Sequence, residues 1–227
     1  MFVITMDQEG STGGADRVPE LLVALGQAVP EPVLAFERTA GDEVQGLLAA
    51  AADALAAVRT AMRLGGWQVG VGVGDVVDPL PTSTRAATGD AFVRARDAVE
   101  RAKSRRMPVP VAVTGPSPGN EDSFGRLVAT DAEALLQLLG TLVERRSGAG
   151  WDAVDVVLGL DDDVLGRPEG AGLAARRGDV ESRTRSQAAA MLGVSEQALS
   201  KRLRAAAWQQ ERAALPALAR VLEEVDR

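Results

Sequence analysis

The sequence predicts an α+β protein in two parts. A sheet domain occupies residues 1–115, a linker 116–129, and a helical region 130–227. Three observations carry this reading. Short apolar runs bounded by Gly, Pro and Asp alternate with helix-period segments as far as "VPVAVT". After "GPSPGNEDSFG" every periodic segment repeats at helical spacing. Near the C-terminus, "RSQAAAMLGVSEQALSKRLRAA" has the residue order of two helices about a glycine turn.

Taken in order, "FVIT" opens as a buried strand that ends at Met6 and Asp7, and "QEGSTGGADR" is a loop. "VPELLVALGQAV" is a helix with Leu21, Leu22 and Leu25 on one face, broken by Pro30 and Pro32. "VLAFERT" is a strand, "AGDE" a turn and "VQGLL" a returning strand. "AAADALAAVRTAMRL" is a helix stopped by Gly65-Gly66. "WQVGVGVGDVV" alternates Val with Gly and reads as an interior strand, "PLPTSTRAAT" as a loop. "GDAFVRARDAVERAKS" is an amphipathic helix, and "VPVAVT" a further strand. The order β-α-β-β-α-β-α-β implies a sheet with antiparallel members and helices on one face.

Beyond the linker, "TDAEALLQLLGTLVERR" places Leu135, Leu138, Leu139 and Leu142 at helical spacing, with Thr130 or Asp131 as N-cap. That stripe is expected to be a core or dimer face. "SGAGWDAVDVVLGL" is a helix with Ser147 as its candidate N-cap. "DDDVLGRPEGAGLAARRGDVES" is a polar, glycine-rich connection. Its Asp161-Asp162-Asp163 triplet lacks the alternate spacing of a calcium loop and reads as a solvated run.

Composition narrows the function classes. There is no cysteine and no histidine, which excludes disulfides, thiolate zinc sites, cysteine nucleophiles and Ser-His-Asp triads. Tyrosine is absent and aromatics make up 3% of residues, so stacking on single-stranded nucleic acid is disfavoured. Apolar runs such as "LLAAAADALAAV" are too short to span a bilayer, and no basic stretch precedes the apolar start. No membrane association and a cytoplasmic location are therefore expected. The net charge is −7, but from Arg176 to Arg212 eight basic residues face four acids, leaving −11 for the remainder. A basic segment on an acidic protein points to one local anionic partner.

That segment contains a helix-turn-helix pattern. Ala189 is small where two helices must cross closely, Gly193 suits the turn, and Val194 enters the small core. Ser195 is placed to cap the second helix, whose inner face carries Leu199 and Leu203. Glu196, Gln197, Ser200, Lys201 and Arg204 remain outward. Gln197 can pair with adenine, and Lys201 or Arg204 with guanine or phosphate. Ser186 and Gln187 start the first helix and are placed for phosphate contacts. The expected partner is double-stranded DNA, gripped by a homodimer, since one motif alone holds weakly. The bland alternative is a helical hairpin with a solvated charged face.

The sheet domain poses a second question. Asp7 closes the first strand and Asp42 sits in the "AGDE" turn; a β-α-β-β layout brings both to one edge of the sheet. Two converging carboxylates repel unless a cation holds them, and Mg²⁺ prefers oxygen ligands. Asp7 and Asp42 are thus candidate Mg²⁺ ligands, and loop amides at Glu9, Gly10 and Ser11 candidate phosphate donors for a nucleotide. Equally, Asp42 and Glu43 can simply make the turn. "VGVGVGD" lacks Rossmann spacing; its glycines on one strand face admit a close helix or a ligand, the helix being the better expectation.

The residues "DQEGST…GDEVQGL…VGVGVGDV…GDAFVRARDAV" resemble the class III nucleotidyl cyclase and GGDEF-type catalytic domain. With the C-terminal "LGVSEQALSKRLRAA" the chain is similar, from Phe2 to about Arg212, to the SatD-like family. The resemblance implies a ferredoxin-like cyclase-type sheet domain followed by a helix-turn-helix domain, with Asp7 and Asp42 at the places of the cyclase metal aspartates. It also implies an Asn and an Arg on the helix after Gly89. Those places hold Val93 and Asp97, and an acid is unsuited to stabilising a transferring phosphate. The sequence therefore reads as a DNA-binding transcriptional regulator whose catalytically degenerate sheet domain senses a ligand or dimerises. The alternative is a divergent metal-dependent nucleotide-processing enzyme.

Overall fold

Five strands form one mixed sheet in a computed structural model that describes residues 1–11, 13–104, 107–116, 123–158 and 185–227. They are β1 (Phe2–Gln8), β2 (Leu34–Arg38), β3 (Glu43–Leu48), β4 (Trp67–Val73) and β5 (Val111–Thr114), in spatial order β2-β3-β1-β4-β5. β1 runs antiparallel to both β3 and β4, β2 antiparallel to β3, and β4 parallel to β5. Among the described residues there are eight α-helices. Five flank the sheet: α1 (Val18–Ala28), α2 (Ala51–Leu64), α3 (Asp90–Ala102), α4 (Ser123–Glu144) and α8 (Trp208–Val225). The other three are α5 (Gly148–Val157), α6 (Arg185–Met191) and α7 (Glu196–Ala205). The expected α+β class is seen. The acid triplet at 161–163 and the basic residues between 176 and 183 lie outside the described residues.

Strand alternation divides the sheet into two buried faces. Phe2, Ile4 and Met6 point toward α1 and α2, joined there by Leu136 and Leu139 of α4 and by Leu218 and Leu222 of α8. Val3 and Leu47 point the other way, onto Ala91, Phe92 and Ala95 of α3. Helices therefore lie on both faces, not on one as expected. The cause is the connection after β4. It runs across to the far edge of the sheet, where Ser83 donates to Glu37 Oε2 (2.7 Å) and Thr84 to the Ala35 carbonyl of β2 (2.6 Å). α3 then returns over the opposite face to reach β5. The two crossovers β3-α2-β4 and β4-α3-β5 thus have opposite hands, an exception to the usual right-handed rule. The same loop covers the exposed edge of β2.

The glycines of β4 explain how α3 can lie where it does. A Cβ on Gly70 would overlap the Val99 amide and the Ala95 carbonyl; on Gly72 it would overlap the Ala91 carbonyl and the Ala95 amide. Helix backbone occupies the space these residues leave, so close helix packing accounts for both. Beside them, the Gln45 side-chain amide donates to the Thr5 hydroxyl (2.8 Å), which satisfies two polar groups buried beneath α3.

Two helical expectations shift in detail. α4 begins at Ser123, inside the stretch read as linker, and one apolar cluster runs from Phe2 to Val225. The buried stripe of α4 is Ala132, Leu136, Leu139 and Val143, whereas Leu138 is 60% and Leu135 37% exposed. Of the predicted stripe Leu135-Leu138-Leu139-Leu142, Leu139 lies in the core, whereas Leu135 and Leu138 face outward and are no part of it. Gly140 faces Val109, so the helix approaches most closely on the side that carries the glycine.

Gly72→Ala is expected to destabilise the fold by about 1–3 kcal/mol or more, because helix backbone cannot yield as a side chain can. Gly26, exposed in α1 with nothing near its missing Cβ, is the control: Gly26→Ala should stabilise by roughly 0.5–1 kcal/mol. Urea denaturation of the two variants checks both signs.

Candidate nucleic-acid interface

The C-terminal helix pair is built from local signals. α6 ends at a turn in which Gly193 takes φ +61° and the Val194 amide donates to the Ala189 carbonyl (3.0 Å). The extended Ser195 then caps α7, its Oγ accepting from the Ala198 amide (3.2 Å). Ala188 and Ala189 are buried against Leu199 and Leu203, with Ala153, Val154 and Val156 of α5 completing a core separate from that of the sheet. Ser147 caps α5, accepting from the Gly150 amide (3.2 Å).

The outward residues fall where the pattern places them. Ser186, Gln187, Ser195, Glu196, Gln197, Lys201 and Arg204 are exposed and Ser200 is half-buried. Among the described residues, neither Lys201 nor Arg204 has an acidic partner, so their charge is free to meet an anion. The only acid in α7 is Glu196, in its first turn.

What holds this three-helix unit to the sheet is a cluster of charges that sequence reasoning missed. Glu211 of α8 is fully buried and shared by two guanidiniums. Arg59 of α2 bonds its Oε1 through Nε (2.9 Å) and Nη2, and Arg146, between α4 and α5, bonds Oε2 (2.5 Å). Arg146 also donates through Nε (3.1 Å) and Nη2 (2.8 Å) to the carbonyl of Ala206, the C-cap residue just beyond α7. Nearby, Arg63 of α2 forks onto Asp155 of α5 at 2.7 and 2.5 Å. The Trp151 ring lies between the guanidiniums of Arg63 and Arg146, at 4.3 and 4.2 Å from its centroid. Burial pulls the Arg59 pKa down and the Glu211 carboxylate opposes it, while the charges of Arg146 and Arg63 add to the lowering. The available signal was Arg59 and Arg63, one turn apart in an apolar helix.

The N-terminal candidates are engaged differently from expectation. In the strand register Asp7 stands opposite Glu43, not Asp42, and opposite Gln68 on its other side. Its Oδ2 pairs with Lys103 Nζ (3.0 Å), which also reaches Glu100 (2.7 Å). Burial acts to lower the Lys103 pKa, but hydrogen bonds to Glu100 and Asp7 outweigh it and hold the ammonium above the ordinary 10.5. Glu43 accepts from the Thr39 hydroxyl. Asp42 lies in the turn, its Oδ2 buried without a hydrogen-bond partner among the described residues. Gly10 is exposed at φ +67°, the Ser11 carbonyl accepts from the Gly14 amide (3.2 Å), and the Glu9 amide donates to Gly66 (2.9 Å). Val93 and Asp97 are exposed on the outer side of α3. Among the described residues no three acids form a group able to hold a metal ion. Asp7 thus faces an ammonium, and Asp42 lies one residue before the strand partner of Asp7.

Comparison with protein-family models, with curated proteins and with solved structures finds no match to this chain. Among the described residues, no helix is long and apolar enough to cross a membrane.

Glu211→Ala should cost about 3–5 kcal/mol, since it strands two buried guanidiniums. A melting temperature within a degree or so of the parent would show that the cluster contributes nothing net.

Proposed function

We propose that the protein is a cytoplasmic DNA-binding transcriptional regulator that reads the major groove with α7, its sheet domain acting as a sensing or pairing module. The observation that carries this is α7 itself. It is a capped helix packed on α6 through Leu199 and Leu203, and it exposes Gln197, Lys201 and Arg204, with neither cation paired to an acid among the described residues. Three helices around a small apolar core, the second and third joined by a glycine turn, fit a helix-turn-helix. The β2-β3-β1-β4 order, with α1 and α2 on one face, fits a ferredoxin-like unit of the cyclase type that the SatD-like resemblance implies.

On this reading, the parent protein shifts duplex DNA in a gel, and log affinity falls linearly with log salt. Lys201→Glu combined with Arg204→Glu removes the shift while leaving the fold intact by circular dichroism. A shift that survives this double reversal sinks the assignment.

One observation favours a second role for the sheet domain. Among the described residues the buried Asp42 Oδ2 accepts no hydrogen bond, and a cation or ligand donor would satisfy it. Nucleotide sensing with Mg²⁺ would require Lys103 to release Asp7. In that case Mg²⁺ plus a nucleoside triphosphate raises the melting temperature of the parent, and Asp42→Asn or Asp7→Asn abolishes the rise. No rise in the parent ends this reading.

A further inference from the structure

Leu138, 60% exposed, and Leu135, 37% exposed, lie on the outer side of a helix whose inner side is fully buried. A groove of about 410 Å³ runs beside them between α4 and α8, lined by Val128, Asp131, Ala134, Leu135, Val221 and Glu224. Asp131, Leu138 and Arg145 follow one another at intervals of seven residues, which keeps them on one side of the α4 axis, with Arg145 just beyond the helix end. Asp131 and Arg145 are exposed, and neither has an ionic partner among the described residues. They stand about 21 Å apart along the helix.

Leu138 is the midpoint of that pair, and this makes the face complementary to itself. A two-fold axis at Leu138, with two α4 helices antiparallel, lays Leu138 on its own copy. It also sets Leu135 against Thr141, Ala134 against Leu142, and Asp131 against Arg145, each contact occurring twice. Asp131, at the end of the groove where Glu224 is itself paired with Arg227 (2.7 Å), receives the partner's Arg145. The geometry points to a second copy of this chain as the occupant of the face, forming a homodimer through α4 with Leu138 at its centre. This rests on the residues of α4 and α8 and not on DNA recognition: lost DNA binding in an intact dimer would overturn the regulator reading alone.

Sedimentation of the full chain at tens of micromolar tests it. The parent should be dimeric, and Leu138→Asp, which sets two carboxylates face to face on the axis, should be monomeric with an unchanged circular dichroism spectrum. Asp131→Arg and Arg145→Asp should each weaken the dimer about tenfold, because symmetry doubles every loss, and the two together should restore it. A monomeric parent, a dimer indifferent to Leu138→Asp, or a charge swap no tighter than its single components overturns the proposal.

Discussion

A carboxylate removed from water with its charge intact needs cations beside it, and Glu211 has two, from widely separated parts of the chain. Arg59 comes from the sheet's helical layer and Arg146 from the junction of α4 and α5. Each uses nitrogen donors that no other described acid satisfies. Desolvating three charged groups is costly, and the mutual attraction repays it only when the geometry is fixed. That requirement is the source of its structural authority. α2, the end of α4 and the start of α8 must all be in place at once, or a bare charge is left in the interior. Apolar contacts among the same helices would tolerate sliding; the shared carboxylate does not.

The sheet obeys a different constraint, steric rather than electrostatic. Gly70 and Gly72 remove side chains where α3 crosses, and the helix backbone fills the gap. The face of β1 that carries Val3, Thr5 and Asp7 is thereby roofed. Asp7, at the rim of that roof, meets Lys103 just beyond the end of α3. Covering the face and neutralising Asp7 are thus consequences of one packing decision. They explain why Asp7, one of two carboxylates that suggest metal chemistry in the sequence, is ion-paired with Lys103 in the fold.

Features determined by neighbours in sequence were legible. Ser195, Gly193, Leu199 and Leu203 act within one turn of each other, and Ser147 caps α5 through an amide three residues away. Strands bounded by Gly and Pro came out near their observed limits. What was hidden depends on distance. Arg59 and Glu211 are 152 residues apart, and nothing local marks them as partners. The side of the sheet taken by α3 depends on a loop that travels to β2 before the helix begins. Which leucines of α4 enter the core is not legible locally, because leucines occupy much of its circumference. Leucine content alone cannot choose between Leu136 and Leu138, and the choice falls to Gly140 against Val109.

α4 connects these levels. Its inner side belongs to the core beneath the sheet, and the chain just past its end supplies Arg146 to Glu211 and to the carbonyl that closes α7. Turning α7 relative to α4 would take two hydrogen bonds from Arg146 and leave Glu211 with an unsettled partner. The three-helix unit therefore moves with α4 and α8 as a body. In a pair of copies joined at Leu138, the separation of the two α7 helices is then set by rigid elements from end to end, with no free hinge among the described contacts. A fixed separation is what reading two half-sites on a duplex demands. The buried charge cluster, which reaches α7 through the Ala206 carbonyl, would set the spacing at which the surface residues do so.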